Sequence, residues 1–196
     1  MTTGRGGGAR SARRTDALLN RERLVAAAHE VFAADGPGAS LNEIARRAGV
    51  GPGTLYRHFP NRQVLLTAVL RDRIGVLCAR AEQLGASGGA DEALEQWLEA
   101  FLSHARAHRG MGSVLLLDGP GEPEFDCHRP ILEAAAGLLG RAQQQGSARA
   151  DLTADDLVRL VVGIALSTAG DGDAGQARRL LSLALDAVHG RARGGV

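Results

Sequence analysis

The 196-residue sequence contains no lysine, so its 23 Lys/Arg positions are all arginine. A Walker-type phosphate loop and a Schiff-base enzyme both need a lysine side chain. The sequence also has no HExxH metalloprotease motif. We therefore predict that the chain is not an enzyme. The alternative is a small helical enzyme in which the basic half of the chain plays no part.

Cysteine is also scarce. Cys78 and Cys127 form no close pair and no metal-type spacing, which excludes a disulfide framework and favours a reducing compartment. The first residues lack the apolar segment of a signal peptide. The longest apolar run, residues 157–169, is interrupted by Arg159 and is too short to span a bilayer. We expect a soluble, cytoplasmic protein with no membrane contact and no cofactor.

Aromatic residues make up only 3% of the chain, whereas alanine, leucine, glycine and arginine are abundant. Alanine, leucine and arginine cost little in a helix, while strands favour β-branched and aromatic side chains. No segment is typical of a strand, so the predicted fold class is all-α. We expect helices at residues 20–34, 41–48, 61–84, 91–108, 112–117, 131–145, 154–169 and 174–189, with another short helix ending before Pro60.

The overall charge of +1 conceals an asymmetry between the two halves of the chain. Residues 1–84 contain 13 arginines and 7 acidic residues, and residues 85–196 contain 10 arginines and 15 acidic residues. A basic amino half and an acidic carboxy half indicate that only the first half meets a polyanion. We predict a disordered Arg/Gly-rich arm at 1–17, a DNA-binding domain at 18–84 and a second domain at 85–196. The arm either adds phosphate or minor-groove contacts or is an untidy terminus.

Residues 40–59 have the pattern of a helix-turn-helix. Ser40 and Glu43 are spaced as a capping box at the start of one helix, which Gly49 ends. Pro52 suits the first turn of the next helix. In that helix we expect Leu55 and Phe59 to face inward, and the sequence predicts exposed side chains at Thr54, Tyr56, Arg57 and His58.

Residues 18–70 resemble the TetR family of bacterial regulators. The resemblance rests on Leu24-Val-Ala-Ala-Ala-His-Glu-Val-Phe32, Asp35-Gly36, Leu41-Asn-Glu-Ile-Ala-Arg-Arg-Ala-Gly-Val50 and Gly53-Thr-Leu-Tyr-Arg-His-Phe59. It implies DNA contacts by Ser40, Gly51, Pro52, Gly53, Thr54, Tyr56, Arg57, His58 and Arg62. Pro52 stands where other members often carry a base-reading polar residue, and Arg62 stands where lysine is usual.

The carboxy half is similar to the SbtR-like members of that family, which implies a small-molecule cavity. An apolar lining with a few polar groups suits such a cavity, although the same residues also describe an ordinary core. The candidates are Trp97, Phe101, His104, Met111, Leu115, Phe125 and Cys127. His104 and His108 share a helix face, but no third ligand is evident and we predict no metal site.

The same resemblance implies a homodimer formed through the last two helices, in which two copies make a four-helix bundle. An intrachain core is the alternative use of these apolar residues. The predicted interface residues are Leu157, Val161, Ile164 and Leu166 on one helix, and Leu180, Leu181, Leu183, Leu185 and Val188 on the other.

Together these features predict a transcriptional regulator, expected to be a repressor that a small-molecule effector releases from a palindromic double-stranded DNA operator. The alternative in the DNA-binding class is an architectural protein without sequence preference. That alternative would bind an operator and random DNA equally, whereas a regulator should discriminate between them by ~10³-fold or more.

Overall fold

The computed structural model describes residues 7–107, 128–168 and 174–188. Within these ranges the regular structure consists of eight α-helices, which confirms the predicted all-α class. None of the helices in these ranges combines the length and apolar character needed to cross a lipid bilayer. The chain divides into two compact units, Met1–Asp72 and Arg73–Val196, which are described separately below. This division falls between Asp72 and Arg73, whereas the sequence placed a domain boundary after Leu84.

The first unit contains α1 (Gly7–Asp35), α2 (Leu41–Arg47), α3 (Pro52–His58) and the first part of α4 (Arg62–Ser87). Its core is built from apolar residues spaced three or four apart, because that spacing puts them on one face of a helix. Each of the four helices contributes to this core. The most deeply buried side chains are Leu24, Ala28, Val31, Ile44, Leu55, Phe59 and Leu65.

Helix α1 begins earlier than the sequence predicted. We expected a disordered arm over 1–17 and a helix from Asn20, but α1 is helical from Gly7 onward. Between Ala9 and Ala34 the sequence has no glycine or proline, and its alanines, arginines and leucines are good helix formers, so nothing local stops the helix. Burial begins only at Leu24, and the described side chains before it are exposed or half-buried.

The second unit contains the rest of α4, then α5 (Ala90–Ala107), α6 (His128–Gln144), α7 (Ala154–Ser167) and α8 (Ala174–Val188). Helix α5 packs against α6, α7 and α8. Thr153 and Asp156 form a capping box at the start of α7, with the Asp156 N–H donating to Thr153 Oγ1 and the Thr153 N–H donating to Asp156 Oδ2. The Thr153 hydroxyl also donates to Asp156 Oδ2 at 2.7 Å, and this bond, followed by the one from the Thr153 N–H, lowers the pKa of Asp156. The short helix predicted at 112–117 lies outside the described residues.

Candidate nucleic-acid interface

Helix α2 starts at a serine cap, as the sequence predicted. Ser40 has an extended backbone (φ −69°, ψ 123°), and its Oγ accepts the Glu43 N–H at 3.5 Å. The other half of the predicted capping box was wrong. The Glu43 carboxylate turns instead to Arg46 and Arg47 and accepts hydrogen bonds of 2.8 Å from each. Three charge-assisted hydrogen bonds from two guanidinium groups are stronger than one from a neutral backbone N–H.

The two arginines make the Glu43 carboxyl group unusually acidic. Hydrogen bonds from Arg46 and then Arg47 lower the pKa of Glu43 from 4.5 to about 2. The pKa of Arg46 is raised in turn, chiefly by its hydrogen bond to Glu43. Arg46 and Arg47 are exposed and Glu43 is only half-buried, so their ion pairs add little to stability. Their effect is to hold two arginines together on the surface of α2.

The turn between α2 and α3 depends on glycine at one position. Gly49 has φ +69°, a conformation that L side chains rarely adopt. The Val50 N–H then donates to the Ala45 carbonyl at 3.0 Å, and Gly51 becomes the N-cap of α3 with Pro52 at its start. Two short helices joined by this turn form the predicted helix-turn-helix.

Gly51 and Gly53 lie exposed at the amino end of α3. Neither has a positive φ, and a Cβ added at either position would meet no atom within 4 Å. Packing inside the protein therefore does not require glycine at these positions. The missing side chains leave the backbone open to close approach by a ligand.

Helix α3 separates its anchoring residues from its surface residues. Leu55 and Phe59 are each 1% exposed, whereas Tyr56 is 48% exposed and Arg57 is also exposed. Thr54 and His58 are only half-buried, so the prediction that all four polar residues are exposed was too broad. The Arg57 Nε–H donates to the Gly53 carbonyl at 3.2 Å, which lays this side chain back along the helix.

Arg62 has a role that the sequence did not reveal. Its Nη1 donates to the Pro37 carbonyl at 3.0 Å and also to the Ala39 carbonyl. The residue is half-buried at the start of α4, and its guanidinium pins the loop that leads to the Ser40 cap. Sequence spacing gives no signal for this contact, because the bonded residues lie 23 and 25 positions apart.

In the second unit, two predicted ligand residues lie at the centre of the core. Trp97 and Phe101 are 0% and 1% exposed, and their rings stack with centroids 5.5 Å apart. The Trp97 indole N–H donates to the Leu77 carbonyl at 3.0 Å. His104 is half-buried on the same helix. The other predicted residues, Met111, Leu115, Phe125 and Cys127, lie outside the described ranges, as does His108. Over the described ranges no group of three His, Cys, Asp or Glu residues is arranged to hold a metal ion.

The nine predicted interface residues divide into buried and exposed ones. Six of them belong to the unit's own core, which is the alternative use that the sequence left open: Leu157, Val161, Ile164, Leu181, Leu185 and Val188. Leu166 and Leu183 remain 47% and 56% exposed, and Leu180 is half-buried. Leu160, which the prediction omitted, joins them at 41% exposed.

Comparison with known proteins covers both units. Residues 24–69 match the family model described as bacterial regulatory proteins of the tetR family, and residues 89–189 match the SbtR-like transcriptional regulator C-terminal domain. The regulator SCO0520 from Streptomyces coelicolor is 37% identical with a TM-score of 0.74, covering 88% of this chain and 99% of that one. A regulator from Mycobacterium vanbaalenii is 34% identical with a TM-score of 0.68, covering 90% and 99%. The Escherichia coli K12 regulator UidR is 27% identical over 177 residues, which is 87% of this chain and 90% of UidR.

Proposed function

The chain belongs to the TetR family of DNA-binding transcription regulators, whose members are not enzymes. We propose that it represses transcription by binding a palindromic operator, and that a small molecule releases it from this DNA. The proposal rests on the observation that α3 has buried residues that anchor it and exposed residues that are free to contact a ligand. Leu55 and Phe59 fix the helix to the core, while Tyr56 remains on the surface with no role in packing that core. A short helix held in this way can enter the major groove with its amino end first.

The DNA contacts that we propose surround this helix. Exposed glycines at its amino end let the backbone approach a phosphate, and Tyr56 reaches a base edge or the backbone. Arg62 acts at least through the loop it fixes before Ser40. The full proposed set is Ser40, Gly51, Pro52, Gly53, Thr54, Tyr56, Arg57, His58 and Arg62.

We place the dimer interface on the exposed face of α7 and α8. Leu160, Leu166 and Leu183 are large apolar side chains that the unit's own core leaves in solvent. Pairing this face with its copy buries those leucines in a four-helix bundle, the arrangement implied for the last two helices. A dimer with two-fold symmetry reads two half-sites about one DNA turn (~34 Å) or a multiple of it apart, which is why the operator is a palindrome.

The effector site that we propose lies in the second unit, near Phe101 and His104. Trp97 and Phe101 make this region of α5 apolar, and His104 supplies a polar group at its margin. An apolar or aromatic effector suits such a lining. The effector would favour one arrangement of this unit and lower operator affinity by ~5–150-fold, corresponding to ~1–3 kcal/mol of coupling. As a regulator of transcription the protein would act in the cytoplasm.

The decisive experiment is a titration of labelled DNA from upstream of its own gene, followed by fluorescence anisotropy, with a scrambled duplex of equal length and composition. We expect saturable binding that discriminates between the duplexes by ~10³-fold or more. Equal affinity for both would contradict the proposal and support an architectural protein. The same assay, repeated with a compound library, identifies the effector as the compound that lowers operator affinity.

A further inference from the structure

Helix α1 extends well beyond the part that packs in the first unit. The helix begins at Gly7, and among its side chains that the structure describes, those from Arg14 onward, the first buried one is Leu24. The residues from Arg14 to Arg23 are exposed, apart from the half-buried Asn20. At 1.5 Å per residue, the stretch before Leu24 is about 25 Å of helix. Between Arg14 and Arg23, therefore, no side chain belongs to the buried core of the first unit.

Four of the five arginine positions of this extension lie on one side of the helix, and the fifth, Arg23, lies on the opposite side. At 100° per residue, positions 10, 14 and 21 lie within about 40° of one another, and position 13 lies next to them. The acidic residues of the same stretch, Asp16 and Glu22, fall at other angles on the helix. Among the described residues, neither Arg14 nor Arg21 has an acidic partner. We call Arg10, Arg13, Arg14 and Arg21 the arginine stripe.

One contact fixes the direction of this stripe relative to α3. The Arg21 guanidinium lies over the Phe59 ring, 5.4 Å from its centroid. Phe59 is the C-cap of α3, and the exposed Tyr56 is one turn before it. The stripe therefore follows the side of α1 that meets the end of the proposed recognition helix. Arg14 and Arg21 differ from Arg46 and Arg47, which are both bound by Glu43.

From this arrangement we infer that the arginine stripe is a second DNA-binding element, which contacts backbone phosphates flanking each half-site. The inference rests on the proposed function and extends it from the helix-turn-helix to α1. Guanidinium groups without an acidic partner bind phosphate oxygens through charge-assisted hydrogen bonds. Such contacts position the protein and add affinity but read no base.

The test compares the full-length dimer with a variant carrying Arg10→Gln, Arg13→Gln and Arg14→Gln. Glutamine matches arginine in helix propensity, and Arg21 is left intact because it packs on Phe59. The matched control carries Arg129→Gln, Arg149→Gln and Arg178→Gln, three exposed arginines of the second unit. Both variants lose the same charge, and circular dichroism checks that their helix content equals that of the parent.

The measurement is the slope of log Kobs against log salt on the upstream duplex. Each phosphate contact contributes about 0.9 to the slope, so losing six arginines per dimer should reduce it by ~3–5 and weaken binding at least ~10-fold near 0.1 M salt. The control should keep the parental slope. A stripe variant with the parental slope would overturn the inference while leaving the proposed function intact.

A second measurement uses the length of the DNA. The stripe spans about 16 Å from position 10 to position 21, which corresponds to ~5 base pairs at 3.4 Å each. Removing that length from both ends of the duplex should weaken the parent but not the stripe variant. Equal weakening of both would contradict the inference. If the parent fails to discriminate operator from scrambled DNA, the proposed function is contradicted, and the stripe is judged by its slope on the scrambled duplex.

Discussion

The Arg62 guanidinium donates to the Pro37 carbonyl at 3.0 Å, and so joins the start of α4 to the loop that precedes α2. The same Nη1 reaches the carbonyl of Ala39, the residue before the Ser40 cap. A side chain that appears from the sequence to be a phosphate ligand thus holds the scaffold of the helix-turn-helix. Replacing it tests whether that geometry matters for DNA binding.

We expect Arg62→Gln to weaken operator binding through the loop as well as through lost charge. Two backbone carbonyls lose their charged donor, and hydrogen bonds to charged groups contribute ~1.5–3 kcal/mol each when well formed. Hydrogen exchange should accelerate at the amides of the 36–41 loop. Arg57→Gln removes the same charge from an exposed site and serves as the control for the loop. Equal hydrogen exchange in Arg62→Gln and Arg57→Gln would show that the Arg62 hydrogen bonds do not stabilise this loop.

Tyr56→Ala combined with His58→Ala tests the surface of α3. We expect a loss of operator affinity with almost no change in melting temperature, because Tyr56 is exposed and His58 is only half-buried. The contrasting variant is Phe59→Ala, which should destabilise the fold by ~3–5 kcal/mol because it empties a fully buried site. Anisotropy and thermal melts measure the two effects. A large fall in melting temperature for the double variant would mean that these side chains support the core.

Glu43 makes stability depend on pH in acid. Because its pKa falls from 4.5 to about 2 on folding, the carboxylate stabilises the folded state above pH ~4.5, and this contribution is lost as the pH falls toward 2. Glu43 is only half-buried and its arginine partners are exposed, so the effect is small. We expect the difference in melting temperature between the parent and Glu43→Gln to shrink as the pH is lowered from 5 to 3. A difference that stays constant across this range would exclude an unusually acidic Glu43.

Leu183→Glu should convert the dimer into monomers, because it places a charge on the exposed face of α8 that we assign to the interface. The control is Val76→Glu, which substitutes an equally exposed apolar residue on α4. Light scattering coupled to size-exclusion chromatography reports the mass of each. If Leu183→Glu and Val76→Glu both keep the mass of a dimer, this face is not where the subunits meet.

Trp97 is the sole tryptophan, so its fluorescence reports on the core of the second unit. Because the indole is fully buried against Phe101, we expect a blue-shifted emission that moves to the red on unfolding. Trp97→Phe should cost ~0.5–1.5 kcal/mol through the lost hydrogen bond to the Leu77 carbonyl, in addition to any loss of packing. Denaturant titration checks the cost. An effector that binds beside Phe101 should change the parental emission, and an unchanged signal at saturation would place the site elsewhere.

The sequence by itself determined the helices and the turn between α2 and α3. Apolar residues three or four apart, the Ser40 cap, Gly49 and Pro52 are signals that act within about one turn of helix, so they can be read without knowing where the chain returns. The same local signals contained the long start of α1, because no residue between Ala9 and Ala34 interrupts a helix. The prediction of a disordered arm rested on the glycines at positions 4 and 6–8, which do not prevent a helix from Gly7 onward.

Only the tertiary structure decided which partner each side chain took. Arg62 donates to carbonyls of residues 23 and 25 positions away in the sequence, a contact that no local pattern predicts. Leu157 and Leu160 are three residues apart on α7 and so occupy neighbouring positions on one side of the helix, yet Leu157 is 1% exposed and Leu160 is 41% exposed. Periodicity shows that a helix has an apolar side, but packing against α5 determines how much of that side the chain itself covers.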